Sequence, residues 1–250
     1  ALLLVMIVGS VVTSAAGCVV NDLWDRNIDP QVERTKARPL AAKTLTVKVG
    51  IATAFTCFLC ALALALYINP LTNPLSFWLC VGAVPVIVLY PSAKRVFPLP
   101  QLVLSIAWGF AVLISWSAGT KALAPAAWWL WGATVLWTFG FDTIYAMPDR
   151  PDDRKLGINS SALFLGRYAA IAVGLCFLGT FGLLFGLGVV EELHWTYWIS
   201  LGISLCLWGR QTLILRQDPL PFKVYGSFFR QNVTIGFILL LGMILGEIIS

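Results

Sequence analysis

The chain has 250 residues, 59% hydrophobic and only 12% charged, with 17 Lys and Arg against 12 Asp and Glu for a formal net charge of +5. Soluble domains carry about 25% charged residues and the mean hydropathy here is +0.84, which excludes a soluble helical bundle or a nucleic-acid-binding module. The charges are clustered, leaving stretches of roughly 20 residues almost free of them, each long enough to cross a bilayer as a helix.

In chain order, apolar runs bounded by Pro, Gly and charge predict eight spans, near 1–21, 44–68, 74–91, 100–120, 124–147, 160–187, 195–216 and 231–249. The expected fold class is therefore all-α, a polytopic transmembrane bundle formed by one domain over residues 1–250. Pro70 and Pro74 predict a tight turn between the second and third spans, and Pro98 and Pro100 the entry to the fourth. The opening ALLLVMIVG has neither Met nor a basic leader, so the chain reads as beginning inside a helix. The six cysteines all lie in apolar runs and are expected to behave as small hydrophobes. Gly182 and Gly186, four apart, are expected to let two helices approach closely. Trp128, Trp129, Trp131, Trp195 and Trp198 lie near span ends and read as interface anchors.

With eight spans, the loops after the first, third, fifth and seventh share one side. That side and its helix ends hold sixteen of the 17 basic residues, Lys121 being the exception. The positive-inside rule makes it the cytoplasmic side, of a bacterial inner membrane or an organelle membrane. Nine of the 12 acidic residues share it, in two dense clusters that solubility does not explain.

The first cluster, NDLWDRNID, is Asn21, Asp22, Asp25 and Asp29. Offsets of three and then four put its carboxylates on one helix face. The second, DTIYAMPDRPDD, is Asp142, Tyr145, Asp149, Asp152 and Asp153, where Pro148 and Pro151 are expected to end or bend the helix. Like charges one turn apart repel, so such a gathering calls for a multivalent cation. Hard oxygen donors without nearby His or Cys select Mg²⁺, which retains waters and completes its shell with substrate phosphate. Arg34, Arg38, Lys94, Arg95 and Lys155 are the cations nearest the clusters in sequence. They are candidates to neutralise a leaving diphosphate or clamp a substrate carboxylate.

At these residues the chain resembles the UbiA superfamily of membrane prenyltransferases. NDLWDRNID and DTIYAMPDRPDDRKLG look like its two signature motifs. The flanks ERTKARPLA, YPSAKRVFPLPQ and INSSALFLG read like the 4-hydroxybenzoate polyprenyltransferases within it. The resemblance implies a bundle of normally nine transmembrane helices, so the usual first helix is expected to be missing here. It also implies transfer of a polyprenyl group from its diphosphate to an aromatic acceptor, in ubiquinone or plastoquinone synthesis. Asp22, Asp25, Asp29, Asp149 and Asp153 are expected to bind Mg²⁺. Asp22, Asp25, Asp142, Tyr145, Asp149 and Arg95 are expected at the chemistry, with Asn21, Arg34, Arg38, Lys94, Asp152 and Lys155 binding substrate. Homogentisate, a naphthoate or phytyl transfer to chlorophyllide are the alternatives within the superfamily, and a transporter with an acidic cation site is the alternative outside it. Tail length and oligomeric state are not legible.

Overall fold

The computed structural model describes residues 1–68 and 71–249, and all its regular structure is helical. The turn expected at Pro70 lies outside the described residues. The helices are α1 (Leu2–Asp25), α2 (Val47–Tyr67), α3 (Pro74–Val96), α4 (Pro100–Thr120), α5 (Pro125–Ala146), α6 (Arg150–Leu156), α7 (Ser161–Leu165), α8 (Ala169–Val190), α9 (Trp195–Leu215) and α10 (Phe222–Ile249). They form two compact units, one of residues 1–123 and 151–159, the other of residues 124–150 and 160–250.

Among the described residues seven helices are long and apolar enough to cross a membrane, against the eight expected. The difference is α5. At 22 residues it is about 33 Å long, yet it carries Trp128, Trp129, Trp131, Trp137, Asp142 and Tyr145. Indole and phenol groups lower its hydropathy while leaving large apolar ring faces. The expected stretch 160–187 is one span, Ser161–Val190, with an irregularity where α7 ends on Gly166 at φ +53°, ψ −123°, a conformation that needs glycine. A span boundary also differs from expectation. The last span begins at Phe222, not near 231. Many large apolar side chains face outward, Leu3, Phe55, Trp78, Leu175 and Phe237 among them. With the seven apolar spans, they make this an integral membrane protein.

In the first unit, α1 packs on α2 and α3, and α3 on α4. Asn73 caps α3 by accepting from the Ser76 N–H and donates to the Ser117 carbonyl at 2.8 Å, tying α3 to the end of α4. The third span was expected to stop at Pro91, but α3 continues through it to Val96. A proline interrupts helical hydrogen bonding, and neighbouring groups in a bundle can compensate. The carbonyl that Pro91 deprives of its helical donor is that of Ile87; beside it, the Trp24 indole of α1 donates to the Val88 carbonyl at 3.1 Å. The extra turn brings Lys94 and Arg95 onto the helix.

In the second unit, α5 packs on α8 and α10, with α9 against both α8 and α10. A Cβ on Gly186 would stand 2.7 Å from the Trp129 ring and one on Gly179 2.8 Å from Leu136, whereas one on Gly182 would meet nothing within 4 Å. The close approach of α5 and α8 therefore uses Gly179 and Gly186, seven residues apart, and not the pair expected.

The core of this unit is polar where three helices meet. Asn232 Oδ1 accepts from the indoles of Trp137 (2.7 Å) and Trp208 (3.2 Å). Its Nδ2 donates to Gln211 Oε1 (3.0 Å) and to the Phe228 carbonyl (2.9 Å). Replacing Asn232 by Leu strands two indole N–H groups and an amide oxygen, at a cost of about 2 kcal/mol. Asn232→Leu should lower the melting temperature in detergent by about 4–8 °C, measured by intrinsic fluorescence.

Candidate active site

The first acidic cluster lies where α1 ends. Asn21, Asp22 and Asp25 occupy its last turns, but the helix stops at Asp25, and Asp29 opens a separate 3₁₀ turn over Asp29–Gln31. The single helix face expected for all three carboxylates is thus broken, because Pro30 and the turn before it cannot continue the helix. The chain folds back instead, and Thr35 Oγ1 donates to the Asp29 carbonyl at 3.1 Å. This return delivers Arg38, whose Nη1 donates to Asp22 Oδ1 (3.0 Å) and Asp29 Oδ2 (3.1 Å). One guanidinium thus bridges the carboxylates that the break in the helix would otherwise leave apart.

Asp25 is served by α3. Its side chain is only 3% exposed and meets Lys94 Nζ at 2.7 Å and Arg95 Nη2 at 3.5 Å. Lys94 also donates to Asn21 Oδ1 at 3.2 Å. Arg95 is held further by the Trp24 carbonyl (3.0 Å) and sits 5.5 Å from the Trp24 ring centroid. Three carboxylates and three cations, drawn from α1, its returning loop and α3, form one balanced network. Arg34 lies half-buried on the same loop.

Part of the second cluster belongs to this unit. Asp152 and Asp153 stand on α6, and the Asn159 N–H donates to the Lys94 carbonyl at 2.8 Å, tying that segment to α3. Lys155 reaches Asp152 only at 4.0 Å and is largely exposed.

The remainder of the second cluster lies in the other unit. Asp142 and Tyr145 are on the last turns of α5, and the Tyr145 ring lies 5.4 Å from that of Phe229 on α10. Asp149 is buried in the 3₁₀ turn Met147–Asp149, where Pro148 ends α5 as its position suggests. The neighbouring Arg150 is held within the second unit. It pairs with Asp218, and donates from Nε to the Ala162 carbonyl (3.0 Å) and from Nη2 to the Gly166 carbonyl (3.3 Å). Asp218 also accepts from the Tyr225 hydroxyl, which itself receives the Leu220 N–H at 3.0 Å. This latch holds the backbone next to Asp149. Sequence reasoning missed it, since a lone Asp218 before Pro219 has no spacing to single it out.

Among the described residues no three of His, Cys, Asp and Glu form a ready-made chelating group. The donor set of the first cluster nonetheless suits Mg²⁺. It consists of carboxylate oxygens without soft ligands, and Mg²⁺ takes one or two carboxylates together with water and phosphate, needing no all-protein cage. Asp22 and Arg38 are 23% and 30% exposed, so their pairing can open to another cation at little cost.

The sequence model of the UbiA prenyltransferase family matches residues 1–233. A 4-hydroxybenzoate solanesyltransferase of Synechocystis is 62% identical over 238 residues, 95% of this chain and 80% of that protein. A 4-hydroxybenzoate octaprenyltransferase of Neisseria meningitidis is 43% identical over 211 residues, 84% of this chain and 70% of the relative. Among solved structures, the apo UbiA homolog from Aeropyrum pernix superposes with TM-score 0.82 at 23% identity, covering 97% of this chain and 88% of that one. The homolog from Archaeoglobus fulgidus bound to GPP and Mg²⁺ gives TM-score 0.74 at 18% identity, covering 98% and 86%. These last two likenesses bear on the fold.

The bridging role of Arg38 has a measurable consequence. Without divalent cations, Arg38→Gln should melt about 2–4 °C below wild type, the shift that about 1 kcal/mol gives in a chain of this length. Millimolar Mg²⁺ should restore more of the variant's stability than it adds to wild type. Equal responses of the two proteins would show that these carboxylates do not accept the metal.

Proposed function

Because the chain belongs to the UbiA prenyltransferase family, we propose that it transfers a polyprenyl group from a polyprenyl diphosphate to the ring of 4-hydroxybenzoate, in ubiquinone or plastoquinone synthesis. The observation that carries this reading is the 62% identity, along 95% of its length, with a 4-hydroxybenzoate solanesyltransferase. The same relative makes a solanesyl-length donor the expected one. The charge bias supports an active site on the cytoplasmic side of a bacterial inner membrane.

We assign Asp22, Asp25, Asp29, Asp149 and Asp153 to hold Mg²⁺. When bound, Mg²⁺ ions supply positive charge against which a diphosphate can leave. Asn21, Arg34, Arg38, Lys94, Asp152 and Lys155 bind the substrates, the cations and the Asn21 amide donating to diphosphate oxygens. A pre-positioned array of donors lowers the barrier by stabilising charge that develops on the leaving group. The allylic C–O bond breaks, its electron pair departing on the diphosphate. The ring carbon beside the acceptor hydroxyl then supplies the pair for the new C–C bond, and a base removes the ring proton. Asp142 and Tyr145 orient the acceptor, the Tyr145 ring face also shielding the allylic cation. Arg95 receives the acceptor carboxylate. Its contacts with Asp25 and Trp24 support the role by fixing the guanidinium in advance.

The purified chain should release diphosphate from a polyprenyl diphosphate only when Mg²⁺ and 4-hydroxybenzoate are both present. Asp22→Ala and Asp149→Ala should each lower turnover by at least about a hundredfold while remaining folded by thermal melt. Turnover with homogentisate but not with 4-hydroxybenzoate would overturn the acceptor assignment. Full activity in either variant would overturn the assignment of that residue.

A further inference from the structure

A second site lies between the end of α9 and the start of α10. Arg210 stands on α9 five residues before its end, about 7 Å inside the helix terminus. Near the end of a membrane helix a long basic side chain reaches to the interface, and the exposed Arg210 makes no hydrogen bond and no ion pair among the described residues. It lines instead a cavity of about 430 Å³ with Ile214, Val224, Ser227, Phe228 and Gln231.

The donors of that cavity are Arg210 and Gln231, Ser227 presenting only lone pairs. Gln231 uses its Oε1 to accept from Gln211 Nε2 at 2.7 Å, and its own Nε2 is unbonded among the described residues. Ser227 Oγ donates its proton to the Val224 carbonyl at 2.7 Å. No carboxylate lines the cavity, and Lys223 and Arg230 adjoin Val224 and Gln231 in the chain. The other side is apolar, and α10 continues from it with outward-facing Val233, Phe237 and Leu241. A guanidinium and an amide N–H₂ beside an apolar wall at the basic end of two membrane helices match an anionic phosphodiester joined to acyl chains. Scattered positive-inside charge, by contrast, needs neither a cavity nor a fixed amide.

We propose that this cavity binds the headgroup of an anionic glycerophospholipid, with Arg210 and Gln231 donating to its phosphate and the acyl chains lying along α10. The proposal is independent of the prenyl-transfer assignment. Its test is native mass spectrometry of the full chain, delipidated in detergent and then offered phosphatidylglycerol or phosphatidylcholine. Wild type should retain one phosphatidylglycerol in preference to phosphatidylcholine. Arg210→Gln should reduce that retention about tenfold, the factor carried by one charge-assisted hydrogen bond. Val224→Trp, which fills the cavity and removes no charge, should reduce it similarly. Prenyl transfer measured in phosphatidylcholine should be unchanged in both variants. Equal retention of the two lipids, or undiminished phosphatidylglycerol in either folded variant, would overturn the proposal. So would displacement of the lipid by glycerol phosphate or inorganic diphosphate at equal concentration, which would mark a site for soluble anions.

Discussion

The basic end of the first unit depends on how Asp25 is compensated. A carboxylate 3% exposed at the end of an apolar helix would be very costly to keep ionised alone. Lys94 and Arg95 supply the countercharge, and they can do so only because α3 runs on past Pro91. The Trp24 indole, bonded to the Val88 carbonyl, joins the same two helices one turn away. The sequence feature that should have ended α3 thus sits inside the element that completes the site. The returning loop obeys the same constraint. α1 stops at Asp25, Asp29 swings out of line, and Arg38 comes back to neutralise it with Asp22.

The second unit meets a different demand, that of polar groups enclosed among apolar helices. It closes every strong donor and acceptor of the Asn232, Gln211, Trp137 and Trp208 group internally, which such surroundings require. Trp137 lies five residues before Asp142 on α5, and Phe229 on α10 lies against the Tyr145 ring. The packing of α10 on α5 therefore sets the rotation of the helix that carries two candidate active-site residues. Polar bonds across a bundle fix register where apolar contacts alone would permit sliding.

Much of this was legible in the sequence because its signals are local. Runs of about 20 apolar residues mark helices, and the two acidic motifs with their cation-rich flanks mark the chemistry. Pro148 correctly signalled the end of α5 before Asp149. What failed was whatever depended on partners distant in the chain. The i, i+3, i+7 spacing predicted one acidic face, and it was lost to the turn at Pro30, five residues beyond Asp25. The four-residue glycine spacing named Gly182, whereas packing selected Gly179 because Leu136 of α5 lies opposite it. Arg150 carries no local sign that it faces Asp218, 68 residues away. The Trp-rich α5 has the length of a span, but its composition conceals it from hydropathy.

The ion pairs differ in a way that sorts their roles. Arg150 meets Asp218, two backbone carbonyls and, through Asp218, the Tyr225 hydroxyl. Removing Arg150 or Asp218 would leave the other's partly buried charge without its partner, so this latch is a fixed part of the fold. Arg38 is bound to Asp22 and Asp29 by Nη1 alone, and Lys94 to Asp25 by a single flexible ammonium. The Arg38–Asp22 contact, on side chains 30% and 23% exposed, opens at small cost, whereas Asp25, 3% exposed, keeps its partners. Under the proposed assignment, a divalent cation would take the Asp22 carboxylate and an arriving diphosphate the released Arg38. On that reading the Arg38 bridge is suited to being divided between Mg²⁺ and the diphosphate, which a latch like that of Arg150 could not be.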